Sequence, residues 1–241
     1  MKKILLLGGT REGLRLAYQL PADAIYSLAG LGQIPDDLPC RCHVGGFGGI
    51  DGLVRFIHEQ RIDLLLDLTH PYAEQISRHA QKAARQTGTP YWVLHRPAWH
   101  PCAGDNWREW HHWPDLTAQL YPFARVLMAL GREPLTHIDE IPRHQRWWVR
   151  CLVTSEQSRS NVTLLNARGP FRIEDEYTLL KDQEIEVIVC KNSGSSATEA
   201  KLIAARDLKI PVLMRTRPPL PQADQTFTAI DSLMTALGLG R

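Results

Sequence analysis

The sequence is short of several things, and each shortage removes a class of protein. No stretch approaches the ~18 consecutive apolar residues of a membrane span, so a membrane protein is not expected. Cysteine is sparse, five in 241 residues, and the odd number argues against a disulfide framework. Met1-Lys2-Lys3 leads directly into an apolar strand rather than a signal peptide, so reduced thiols and a cytoplasmic location are expected. Excess charge of one sign is missing too. A net charge of +2 gives no electrostatic footprint for nucleic acid, and none is expected as a partner. Gly-x-Ser-x-Gly does not occur and no cysteine sits where it would be activated, which argues against a covalent nucleophile.

What remains is an ordinary globular composition, 44% hydrophobic and 22% charged, around an internal repeat. Ile62–Leu68 is an apolar run of strand length, followed by Thr69-His70-Pro71, where Thr69 or His70 can cap a helix and Pro71 fits its first turn. Ala73, Ile76, Ala80, Ala83 and Ala84 recur at helical spacing up to Gly88, and Tyr91–Leu94 then leads to Arg96-Pro97. The same pattern returns in Ile185–Cys190, the polar turn Lys191–Ser196, the helix Ala197–Leu208, Val212–Met214 and Arg217-Pro218. Ile62 pairs with Ile185 at an offset of 123, and Arg96-Pro97 with Arg217-Pro218 at 121. Two strand–turn–helix–strand copies imply two α/β domains, 1–97 and 98–241, with parallel sheets and an active-site cleft between them.

Elsewhere, strands are expected at Lys2–Leu7, Ala24–Ala29, Cys40–Val44, Arg125–Leu130, Trp147–Val153 and Val162–Asn166, with a last helix over Ile230–Leu237. Trp99–Pro122 lacks clean periodicity and gathers Trp99, Trp107, Trp110 and Trp113 with His100, His111 and His112. That histidine spacing fits no zinc pattern and no paired cysteines accompany it, so no metal is expected; a linker packing tryptophans over a domain seam is.

Candidate chemistry collects at strand ends. Gly8-Gly9-Thr10-Arg11-Glu12-Gly13 follows a strand and opens a helix, the setting of a pyrophosphate turn and equally of a plain glycine turn. Ser27–Leu31 supplies no acidic residue for a ribose hydroxyl, which leans toward NADP over NAD. Gly45-Gly46-Phe47-Gly48-Gly49 would let a ligand approach the backbone, or serve as a connector. Thr69-His70 lies beyond a strand's carboxyl end, where α/β sheets bind ligands; Lys191-Asn192-Ser193-Gly194 is its partner turn and suits an anion. Arg96, Arg132, Arg168 and Arg217, each alone a solvated charge, would together suit a ligand with several carboxylates.

Taken together, LLLGGTREG, VGGFGGIDGL, IDLLLDLTHPYAEQIS, ALGRE, RGPF and VCKNSGSSATEAKLIAARDLKIPV resemble the precorrin-6A reductase family of cobalamin biosynthesis, cobalt branch included. The resemblance implies two Rossmann-like domains, NADPH on the first and a carboxylate-rich tetrapyrrole on the second, and reduction of one macrocycle double bond. Carried over motif by motif, Gly8, Gly9, Thr10, Arg11 and Glu12 would form part of the cofactor site, with Gly46, Thr69 and His70 close to it. Arg132, Arg168, Lys191, Ser193 and Gly194 would hold substrate, and His70 and Lys191 are the candidate catalytic groups. Leu31 stands where family members often carry Arg, so Arg11 or Arg41 would have to grip the 2′-phosphate; Ser195 replaces a common glycine. Transient contact with other enzymes of the pathway is part of the same expectation. The rival readings are a reductase of another small substrate and a non-catalytic NADPH sensor.

Overall fold

The structure, a computed structural model, describes residues 2–30, 35–152 and 159–239. The first elements are β1 (Ile4–Leu7), α1 (Arg11–Ala17), β2 (Ile25–Leu28), β3 (Arg41–Val44), α2 (Gly49–Gln60), β4 (Leu64–Asp67), α3 (Glu74–Thr87) and β5 (Tyr91–Leu94). Then come β6 (Trp107–Trp110), α4 (Trp113–Leu120), β7 (Arg125–Ala129), β8 (Arg146–Arg150), β9 (Val162–Leu165) and α5 (Ile173–Asp182). The chain finishes with β10 (Val187–Lys191), α6 (Ala200–Asp207), β11 (Val212–Arg215), β12 (Gln225–Phe227) and α7 (Ile230–Ala236). Among the described residues no helix is long and apolar enough to cross a membrane.

Residues 1–97 with 218–241 form one compact unit and 98–217 a second. The expected second domain of 98–241 is corrected at its C-terminal end. Each unit is built on one six-stranded sheet, ordered β3-β2-β1-β4-β5-β12 in the first and β9-β8-β7-β10-β11-β6 in the second, with every strand pairing parallel. Apart from the sixth strand, both follow the doubly wound order 3-2-1-4-5. The repeat reaches beyond its sequence-legible part: β2 and β8 begin at residues 25 and 146, β3 and β9 at 41 and 162, β5 and β11 at 91 and 212.

The sixth strands are exchanged. After β5 the chain supplies β6 and α4 to the second unit, and after β11 it supplies β12 and α7 to the first. An uncovered β5 would expose a row of backbone donors and acceptors. β12 covers it: Phe227 O accepts from His95 N at 2.7 Å, and Asp224 Oδ2 accepts from Tyr91 N at 2.8 Å. Leu233 of α7 is fully buried in the first unit's core. The region from Trp99 to Pro122, expected to be a linker, is likewise an edge strand and a helix, with Trp110 buried. Its weak periodicity is that of an edge strand held by a neighbouring sheet.

The central strands are apolar on both faces because helices cover both. Leu6, Leu64 and Leu66 pack with Leu16 and Leu233 on one side, while Leu5, Leu7 and Leu65 meet Leu53, Ile57 and Ala80 on the other. Truncating one such leucine costs about 2–5 kcal/mol. This two-sided packing fixes where each strand ends, and therefore where each turn begins.

Candidate active site

In an open parallel sheet whose strand order reverses, a crevice opens at the carboxyl ends of the two strands flanking the reversal. The first unit places β1 and β4 there, and the second β7 and β10. The first crevice is lined largely by glycine backbone. Gly8 N donates to Ser27 O at 2.9 Å, and a Cβ on Gly8 would lie 2.0 Å from a ring carbon of buried Tyr26. Gly9 has φ +103°, and a Cβ there would meet nothing within 4 Å. Thr10 caps α1: its Oγ1 accepts from Gly13 N at 3.1 Å and donates across the crevice to Leu68 O at 2.7 Å.

Beyond β3, the glycine loop carries left-handed backbone at Gly45, Gly48 and Gly49, with Phe47 steadied from behind by rings of His43 and Phe56 at 4.8 and 5.0 Å. These turns and Thr69-His70 surround a cavity of about 520 Å³. The lining fits a dinucleotide: close-approach glycines, two helix N-termini and side chains of mixed polarity.

Beneath it lies a buried carboxylate. Asp67, 2% exposed at the end of β4, accepts from Thr69 N at 3.0 Å and Thr69 Oγ1 at 2.6 Å through Oδ1, and from the Tyr91 hydroxyl at 2.8 Å through Oδ2. Burial, then the charge of Asp67, pushes the Tyr91 phenol far above its ordinary range, so it stays a donor. Because Thr69 is occupied in this way it does not cap α3. That helix starts at Glu74 behind Ala73, with no side-chain cap, a correction to the expected start. His70 Nδ1 accepts from Tyr72 N at 3.3 Å, which assigns the proton of the neutral ring to Nε2.

Gly8, Gly9, Gly46, Thr69 and His70 all line the cavity, whereas Thr10, Arg11 and Glu12 do not. Thr10 is a cap and Arg11 is exposed on the first turn of α1. The Glu12 carboxylate is held by Arg96 Nη1 at 2.9 and 3.1 Å. Arg41 begins β3, at the end of the strand away from the cavity, and donates to Gln60, so it is no candidate for a phosphate grip there. The Leu31 departure lies outside the described residues. Sequence reasoning missed Ser27, Gln75 and His79, which also line the cavity. Gln75 and His79 are one turn apart on α3, polar positions that the apolar stripe of that helix does not mark.

The second crevice is bridged by charge. Lys191 Nζ donates to Leu130 O at 3.0 Å and lies 3.1 Å from Glu133, whose carboxylate also takes Arg215 Nη1 at 2.8 Å. Arg132 and Arg168 follow the carboxyl ends of β7 and β9 and are exposed. Ser193 is buried: its hydroxyl shares a hydrogen bond with Thr198 Oγ1 at 3.1 Å and accepts from Ser195 N at 3.4 Å, shaping the loop around Gly194. Below that loop lies Lys201, 4% exposed, which donates to Thr198 O and sits over the Trp99 ring. Burial lowers its pKa. Among the described residues no cluster of ligating side chains suits a metal ion.

Comparison with known proteins identifies the family and the fold. The family described as Precorrin-6x reductase CbiJ/CobK matches residues 3–238. A precorrin-6A reductase of Rhodococcus erythropolis is 40% identical over 99% of this chain and 98% of its own. One from Mycobacterium tuberculosis is 37% identical over 98% and 96%. A cobalt-precorrin-6A reductase of Methanothermobacter thermautotrophicus is 27% identical over 76% and 64%. The solved structure of a CobK precorrin-6A reductase superposes with TM-score 0.89 at 34% identity, covering 99% of this chain and 96% of that one.

Proposed function

The chain belongs to the precorrin-6x reductase family of cobalamin biosynthesis, and from that membership we propose that it uses NADPH to reduce one macrocycle double bond of metal-free precorrin-6A. The metal-free substrate is preferred because relatives named for it are 36–41% identical, against 23–27% for those named for the cobalt form. The observation that carries the cofactor reading is the glycine-lined cavity at the β1/β4 reversal. NADPH, when bound, supplies the hydride.

The protein's own groups supply position and charge. Gly8 and Gly9 let the pyrophosphate meet the backbone at the start of α1, whose dipole favours an anion. With Ser27-Leu28-Ala29 at the end of β2 there is no carboxylate to repel a 2′-phosphate, and Arg11 is the cation offered to it. His70, on the cavity wall, offers an Nε2–H hydrogen bond that can hold and orient a water there, and the proton that the carbon next to the hydride acceptor takes comes from solvent. Arg132, Arg168 and Lys191 pair with the acetate and propionate groups of the tetrapyrrole; Ser193 and Gly194 keep their loop in shape.

Anaerobic turnover with precorrin-6A and cobalt-precorrin-6A side by side tests the reading. NADPH consumption with the metal-free substrate, and weaker or no consumption with the cobalt form or with NADH, is expected. An NADPH-binding protein that consumes it with neither tetrapyrrole is a sensor instead.

A further inference from the structure

The buried carboxylate under the first crevice contributes no side chain to the cavity wall, yet the fold places it beneath the segment that forms the wall. Asp67 faces α3 rather than solvent, and three donors converge on it, two of them from Thr69. The next link is Leu68, whose carbonyl accepts the Thr10 hydroxyl that caps α1. One chain of hydrogen bonds thus runs from β5 through Asp67 to the Thr69-His70 turn, while the adjacent peptide ties that turn to the helix start across the crevice. The corresponding position in the second unit, by packing face and strand end, is Cys190. A buried thiol there cannot gather three donors.

We propose that Asp67 is the positioning residue of the dinucleotide site: its carboxylate fixes Thr69, and through Thr69 the placement of His70 and of the wall facing the Gly8-Gly9 turn. The inference rests on the reading that this cavity takes the dinucleotide. Without the carboxylate, the tyrosine hydroxyl and the Thr69 hydroxyl keep only the long contacts to Ser77 at 3.5 and 3.4 Å, and the half-buried Thr69 N–H would turn toward water. The Thr69 peptide is the part that can rotate, since Tyr91 is anchored in β5. The turn would then lose its shape while the sheet below kept its own. Asp67→Asn should largely preserve the turn, because its single oxygen can still accept both Thr69 donors and the tyrosine hydroxyl can reverse to accept from the amide.

Fluorescence titration with NADPH, alongside thermal melting and hydrogen exchange, tests this. Asp67→Ala should raise the NADPH Kd tenfold or more, Asp67→Asn should restore it to within about threefold, and KM for the tetrapyrrole at saturating NADPH should stay within twofold. Tyr91→Phe separates support from positioning: it should lower Tm yet leave the NADPH Kd within twofold. Thr69→Val covers the case in which Asp67→Ala does not fold, and should weaken NADPH several-fold. Parent-like NADPH affinity in Asp67→Ala, or in Thr69→Val where Asp67→Ala does not fold, would overturn the proposal, as would equal losses in Tyr91→Phe. If NADPH protects no amides at 8–10, 45–49 and 69–70 in the parent protein, the dinucleotide reading itself fails, a result separate from failure of the positioning role.

Discussion

The two crevices occupy the same place in the same strand order, yet one is lined by bare glycine backbone and the other is bridged by charge. Gly9 is the second residue past β1 and Gly131 the second past β7, and both have positive φ, so the backbone bend has survived in each copy. Their neighbours diverge. Gly8 in the first unit corresponds to Leu130 in the second, and Thr10, which caps α1, corresponds to Arg132. Instead of a seven-residue α-helix, the second turn opens a 3-10 segment, Glu133–Glu140. Glu133 then bridges the crevice by holding Lys191 and Arg215. A dinucleotide turn needs bare backbone and a helix start; the second copy has replaced both with side chains and charge. The same architecture therefore yields a bare glycine turn, suited to a phosphate, in the first unit and a charged rim in the second.

The sharpest way to break this comparison is to give the first turn a side chain. Gly8→Ala places a Cβ 2.0 Å from the Tyr26 ring, and Tyr26 is buried with no room to swing. We expect a stability loss of about 1–3 kcal/mol, with NADPH binding abolished in whatever folds. Denaturant melts and cofactor titration check it; a variant with parent-like binding would mean the turn does not meet the cofactor. In the second unit, Arg132→Ala or Lys191→Ala should weaken tetrapyrrole binding by about 1.5–3 kcal/mol, the scale of hydrogen bonds to charged groups. NADPH affinity should be unchanged, and raised salt should mimic the loss. Steady-state kinetics over a salt series reads this, and an effect confined to NADPH would reverse the assignment of the two crevices.

A smaller effect is expected from Thr10→Ala, which removes both the α1 cap and the link to Leu68; about 1 kcal/mol of stability should go. Arg132→Ala, at the matching place with no cap to lose, should move Tm far less. The smallest effect is a pH slope. Lys201 is buried and its pKa lies below the ordinary 10.5, so the unfolded chain binds that proton more tightly than the folded one. The native protein should therefore gain stability relative to Lys201→Met as pH rises toward 10.5, and lose that gain as pH falls. Melting both proteins from neutral to alkaline pH tests the sign, and a flat difference would mean the ammonium is solvated.

Much of this was written in local sequence. Apolar runs such as Ile4–Leu7 and Leu64–Asp67 are strands because they are the right length and carry no solvent-facing residues. Gly88 ends α3 in left-handed backbone, as a glycine at that place should. The glycine turns and Thr69-His70 were legible because a turn after a buried strand is punctuated by residues chosen for backbone geometry. Other features were not legible. Nothing in Gln225–Phe227 announces a strand; those three residues are one because β5 presents unpaired backbone for them to meet. Glu12 reads as part of a phosphate turn until Arg96, 84 residues away in sequence, claims its carboxylate. Asp67 reads as the polar end of an apolar run, and its three donors come from two separate places in the chain. The sequence by itself determined the strands, the turns, the duplication and the kind of chemistry, because those depend on neighbours a few residues apart. Only the tertiary structure decided which copy bridges its crevice with ion pairs, where the sixth strands go and which charges are already paired, because those depend on contacts between residues that only folding brings together.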